Sequence, residues 1–253
     1  MRSDSRSARI QVLVAEQAAR RGARVGVVDV CTAAVAALPV GGAGVSAMSK
    51  TAASHPLCST DGISEQLEEL QLTLGEGPCV DAFTQGSAVL TPDLLTGAMQ
   101  DRWAVFADAA LEAGARAVFA LPLQMGAISP GVLDLYASVP TVLDAEELAD
   151  ALAFADLATL LLLDARIDET GAPVDGVLAD RGFEDLGGYR AEIDQATGIL
   201  TVQLGVGIDE AFVRLRAYSY AQGRRLADVA AGVVAHRLRF SPDTETKRTD
   251  DGT

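Results

Sequence analysis

Cysteine is scarce in this chain of 253 residues: there are three, Cys31, Cys58 and Cys79. So small and odd a number cannot lay out a disulfide framework, and a chain this long can bury a core without staples. The expectation is a cytoplasmic protein with reduced thiols. Long hydrophobic runs are also lacking. Residues 30–49 carry no charge, but Pro39, Gly41, Gly42 and Gly44 break the stretch, so no membrane-spanning helix is expected. The opening MRSDSRSARIQVLVAEQ holds only a short apolar patch before Glu16, unlike a secretory leader. Histidine occurs twice, at His55 and His236. His55-x-x-Cys58 is a single pair without a second, which leaves a closed zinc site without support. No G-x-S-x-G turn marks a serine nucleophile. The reading is therefore of a protein that is not an enzyme, with no metal and no cofactor required by the sequence.

Positive charge is the other shortage: 20 Lys and Arg stand against 35 Asp and Glu, a net −15. Taken globally, that discourages a nucleic-acid partner, because phosphates must be met by Lys and Arg. The charge is not evenly spread, however. Residues 1–60 balance at +4, residues 61–185 at −19, residues 186–240 at +2 and residues 241–253 at −2. The acidity belongs to the middle, and the C-terminal segment is a separate electrostatic object.

What is present is ordinary for a globular chain: 49% hydrophobic and 22% charged residues. A Gly- and acid-rich stretch, IDETGAPVDGVLADRGFEDLGG, falls at the change of charge and reads as a linker. This divides the chain into a first domain at 10–166, a linker at 167–186, a second domain at 187–240 and a disordered tail at 241–253. In the first domain, residues 10–38 read as one helix ended by Pro39. Ile63, Leu67, Leu70 and Leu74 line one face of another, and Asp144 with Glu147 starts a closing helix. Strands are expected near 43–49, 55–60, 89–90, 115–123 and 131–138, the last two as an antiparallel pair. The acidic pairs Glu68-Glu69 and Glu146-Glu147 are assigned to solvated helix faces. Cys79 opens a helix after Gly77-Pro78, where the helix dipole would lower a thiol pKa; burial as a small hydrophobe is the simpler alternative.

This α+β order, with LGEGPCVDAF at 74–83 and GVLDLYASV at 131–139, resembles a GAF domain, a small-molecule sensing fold. The resemblance implies an antiparallel sheet flanked by helices, with a small-molecule ligand and a homodimer compatible with it. One enzyme branch of that fold, free methionine sulfoxide reductase, needs a further cysteine downstream of the glycine-rich turn, and none follows Cys79.

In the second domain, stripes at Ile193, Ala196, Leu200 and Leu204, at Phe212, Leu215 and Ser219, and at Leu226, Val229 and Val233 predict a three-helix bundle. The pattern I-x-Q-A-T-G-I-L, then G-x-x-x-D-E-A-F-x-x-L-R, then L-A-D-V-A resembles an ANTAR domain. That family is an RNA-binding module which opposes transcription termination by gripping paired hairpins in nascent transcripts. The resemblance implies RNA contact at Gln195, Ala196, Thr197 and Gly198 and at Leu215, Arg216 and Ser219. Arg214, Arg224 and Arg225 join them as guanidiniums suited to phosphates and splayed bases. Thr197 stands where many members carry lysine, and Asp194 adds a negative charge, both weakening phosphate attraction. The expected function is an RNA-binding antitermination regulator under control of a GAF-like sensor. The alternatives are a DNA-binding transcription factor, a GAF-fold redox enzyme or sensor using Cys79, and an interaction protein that no longer binds RNA.

Overall fold

The structure is a computed structural model that describes residues 2–48, 55–164 and 184–241. Two compact units divide the chain, residues 1–190 and 191–253. The first unit contains α1 (Arg2–Arg21), α2 (Val27–Ala37), β1 (Gly42–Ala47), β2 (His55–Ser59), α3 (Gly62–Leu74), α4 (Pro78–Gln85), β3 (Val89–Thr91), α5 (Gly97–Arg102), α6 (Ala104–Ala113), β4 (Ala117–Met125), β5 (Ile128–Ala137) and α7 (Ala145–Asp164). A further helix, α8 (Glu184–Leu204), runs into the second unit, followed by α9 (Ile208–Ala221) and α10 (Leu226–Val234). Of the stretch read as a linker, only residues 184–188 lie among those described, and they are helical. Beyond residue 241, the tail falls outside them.

Five strands form one sheet in the order β2-β1-β5-β4-β3, every neighbouring pair antiparallel. Side chains alternate across a strand, and here the two sides fill two cores. Ala43, Val45, Phe119, Leu121, Leu133 and Leu135 face a cluster with residues of α1, α2 and α7. Val118, Ala120, Val132 and Tyr136 face a second cluster with residues of α3, α4 and α6. Coverage on both faces explains why β4 and β5 read as nearly continuous apolar runs. Pro122 is tolerated in β4 because β3 pairs only as far as Ala120.

The single helix expected over 10–38 is two. Gly22 adopts φ +70° at the end of α1, and the chain restarts at α2. Asp29 fixes the restart: its carboxylate accepts the Gly26 amide at 2.9 Å and both Arg21 donors at 3.0 and 2.6 Å. The short α5 carried no sequence signal, having no buried residue. The exposed-face assignment of Glu68 is also corrected. Glu68 is 2% exposed, and with Ser64 and Gln71 it forms a polar stripe on α3 turned towards the sheet. Ser46 of β1 donates to Glu68, and only glycine at position 44 leaves room for that carboxylate.

The two motifs of the first unit hold this framework. Gly75 ends α3 in the left-handed conformation, φ +66°. Glu76 reaches across to accept the Val105 and Phe106 amides at 3.0 and 2.9 Å, capping α6, which has no cap of its own. Gly77, at φ +126°, leaves room for Gln71, whose Oε1 accepts the Cys79 amide at 2.7 Å. Asp81 accepts from Arg102 at 2.8 Å and from the Trp103 indole at 3.1 Å. In the other motif, Tyr136 donates to Asp61 at 2.6 Å, and Asp61 caps α3 through the Ser64 amide at 2.8 Å.

Candidate functional sites

The second unit is built around small buried side chains. Ile193, Ala196 and Leu200 of α8, Ala211, Leu215 and Ser219 of α9, and Leu226, Val229, Ala230 and Val233 of α10 are each at most 1% exposed. Gly205, φ +69°, closes α8, and Gly223, φ +57°, ends α9. Ser219 and Arg224 clasp the α9–α10 turn: the Arg224 amide donates to the Ser219 carbonyl at 3.0 Å, and the Ser219 hydroxyl donates to the Arg224 carbonyl.

This packing sorts the expected RNA-contact residues. Ala196, Thr197 and Ser219 lie inside the bundle, at 0%, 4% and 0% exposure. The Thr197 hydroxyl is spent on the Ile193 carbonyl at 2.7 Å. These three build the frame, and their side chains are not on its surface. Gln195 is exposed, and Gly198 lies one turn on along the same helix face. A Cβ on Gly198 would meet nothing within 4 Å, so internal packing does not demand glycine there. Arg224 and Arg225 are exposed at the start of α10, with Arg224 Nη2 donating to the Asp228 carbonyl at 3.2 Å. Arg214 pairs with Glu210 one turn back at 3.4 Å. Arg216 is half-buried, its guanidinium 5.6 Å from the Phe212 ring centroid, and burial lowers its pKa. Arginine keeps its charge regardless. Tyr218 is taken up by packing on Phe240, ring centroids 5.0 Å apart, whereas Tyr220 is 52% exposed. Arg237 and Arg239 are exposed beyond α10.

The first unit holds a different constellation. A ligand atom from each of Glu68, Cys79 and Asp134 lies within 4.8 Å of the others, all three residues buried. Beside them is a cavity of about 10 Å³, lined by Gln71, Ser64 and Gly44 as well as the two carboxylates; that volume admits about one water. These are the residues that could hold a metal ion among those described. Burial pushes the Asp134 carboxyl up to about 6. Burial and the Asp134 charge hold Glu68 well above the usual carboxylate range.

For Cys79 the same surroundings favour burial as a small hydrophobe over a dipole-activated thiol. It does sit in the first turn of α4, but it is 2% exposed. Burial and the charges of Asp134 and Glu68 push its thiol well up, not down. The helix dipole is outweighed by burial and neighbouring charge, which disfavours the thiolate. Asp134 was detectable as a lone charge within the apolar run GVLDLYASV. Glu68 was hidden because it neighbours, without joining, the leucine stripe of α3.

Residues 188–234 match the family model for the ANTAR domain. No curated protein matches the chain. Among solved structures, the chain is similar to a GAF domain of a phosphoenolpyruvate-protein phosphotransferase from Coxiella burnetii. That match has 14% identity and a TM-score of 0.46, covering 63% of this chain and 96% of that one. The corresponding Acinetobacter GAF domain gives 11% identity and a TM-score of 0.45, covering 65% and 95%. The GAF domain of the cyanobacteriochrome TePixJ gives 17% identity and 0.41, covering 53% and 85%. Among the described residues, no single helix is long and apolar enough to cross a membrane. The ANTAR match implies RNA-binding regulation for the second unit.

Proposed function

We propose that this protein is an RNA-binding transcription antitermination regulator. Its C-terminal bundle binds hairpins in nascent transcripts, and its GAF-like first unit senses a signal and brings two copies together. The observation that carries the reading is the ANTAR match over 188–234, coincident with a bundle that exposes Arg224, Arg225, Arg237 and Arg239. Arg224 and Arg225 supply phosphate contacts from the start of α10. Gln195 and the open backbone at Gly198 form a second contact region on α8. Two hairpins need two modules, and a dimer raises the effective concentration of the second.

Competition binding with the full chain tests this. Paired hairpin RNA should displace labelled hairpin RNA, and duplex DNA of the same length should not. Arg224→Ala with Arg225→Ala should weaken binding and reduce the slope of log K against log salt by about 2, roughly one per lost phosphate contact. Preference for duplex DNA would overturn the reading in favour of a DNA-binding factor. Undiminished RNA binding by the double variant would overturn the choice of residues.

A further inference from the structure

We propose that Cys31 and Cys58 form a dithiol site that a hydroperoxide oxidises to an intramolecular disulfide joining α2 to β2. The inference is independent of RNA binding and concerns the first unit alone. The two sulfurs lie 2.8 Å apart, from residues 27 positions apart in sequence. A disulfide bond is about 2.05 Å long, so the sulfurs need to approach by less than about 1 Å. The fold explains the meeting. Cys31 is buried on α2 in the cluster that covers the sheet, beside Val30 and Ala34. Cys58 lies opposite Val45 on β2, the edge strand, and is only half-buried. Cys79 has no thiol neighbour: its sulfur lies 3.5 Å from the Met48 thioether, in the core on the opposite face of the sheet.

Exposure divides the roles. Cys58 meets the oxidant. Its thiolate attacks one peroxide oxygen, the O–O bond breaks, and the leaving hydroxide or alkoxide takes up the thiol proton. Cys58 is then a sulfenic acid. The Cys31 sulfur attacks the Cys58 sulfur, the S–O bond breaks, and the hydroxyl leaves as water with the Cys31 proton. Two thiols and one hydroperoxide thus give a disulfide, one water, and a second water or an alcohol, with two electrons passing from sulfur to oxygen. Cys31 is suited to the second step only. Its contact with Cys58 and its burial hold its thiol well above the ordinary value, which keeps it unreactive until an electrophilic sulfur stands beside it.

The test uses the full chain, reduced, freed of reductant and exposed to one equivalent of hydrogen peroxide. Free thiols should fall from three per chain to one, the survivor being Cys79 by alkylation and peptide mapping, and dithiothreitol should restore all three. Cys79→Ser should form the same bridge. Cys31→Ser, or Cys31→Ala if serine disturbs the core, should form none and instead leave a dimedone-reactive Cys58. Cys58→Ser should lose no thiol under the same exposure. Persistence of three thiols in the wild type would overturn the proposal. So would a bridge to Cys79, a bridge only between chains, or oxidation of Cys58→Ser at the wild-type rate.

Discussion

Asp134 offers the sharpest test of the interior of the first unit, because its ionisation is set by burial between α3 and the sheet. Its carboxyl titrates at about 6 when folded, against 3.8 in the unfolded chain. A carboxyl whose folded pKa is raised binds its proton more tightly when folded. Its contribution to stability is complete below pH 3.8 and is lost as pH rises through about 6. That difference corresponds to about 3 kcal/mol. For a unit of this size that is roughly 6–12 °C in Tm. Asp134→Asn keeps the shape and an acceptor for the Gln71 amide but cannot ionise. Other carboxyls titrate over the same range, so the informative quantity is the difference between wild type and variant. Asp134→Asn should gain about 3 kcal/mol on the wild type between pH 4 and pH 7.5.

The assay can be confined to the correct unit. Trp103 is the chain's single tryptophan, 2% exposed and tied to Asp81. Urea unfolding followed by its fluorescence reports the first unit without the second. Parallel pH profiles for wild type and Asp134→Asn would refute the argument. They would mean that water or a counter-charge solvates Asp134 in the folded state.

The same fluorescence assay checks two further expectations. Gly131→Ala should cost at least about 3 kcal/mol, because its Cβ would collide with the Ser46 carbonyl across the β1–β5 ladder. Gly62→Ala, with nothing within 4 Å, should stay within about 0.5 kcal/mol of wild type. Arg21→Ala should cost about 1–3 kcal/mol by stranding Asp29, 2% exposed, with only its amide partner. Adding Asp29→Asn should recover part of that loss; an additive double variant would show that the pair is not coupled.

Legibility from sequence followed the strength of each local signal. The leucine stripe of α3, the β4–β5 pair and the three stripes of the bundle are periodic, and each element formed where its period placed it. The break between α1 and α2 was missed because Ala-rich sequence continues on both sides, and a single Gly22 is a weak stop. The depth of the polar stripe Ser64, Glu68 and Gln71 depends on β1 lying above it. No local pattern records that, since the glycine that makes room is some two dozen residues away. The bundle shows the converse. Its motif was legible as a unit, yet which motif residues reach the surface was not. Ala196 and Thr197 follow Ile193 by three and four residues, and Ser219 follows Leu215 by four, because they pack inside the bundle, whereas Gln195, Arg224 and Arg225 are exposed.

This bears on how the net charge of −15 should be understood. In the first unit, many acids have internal duties. Asp29 holds α2, Asp61 caps α3, Glu76 caps α6, and Asp81 and Asp93 engage Arg102 and Arg116. Glu68 and Asp134 are buried altogether. These acids serve helix ends and close packing, so part of the negative charge of the first unit is structural in origin. In the bundle, Arg224, Arg225, Arg237 and Arg239 are exposed. Arg214 shares an i,i+4 pair, and Arg224 touches a single carbonyl. Net charge sums these two uses together, which is why it points away from nucleic acid while the distribution of exposed guanidiniums points towards it.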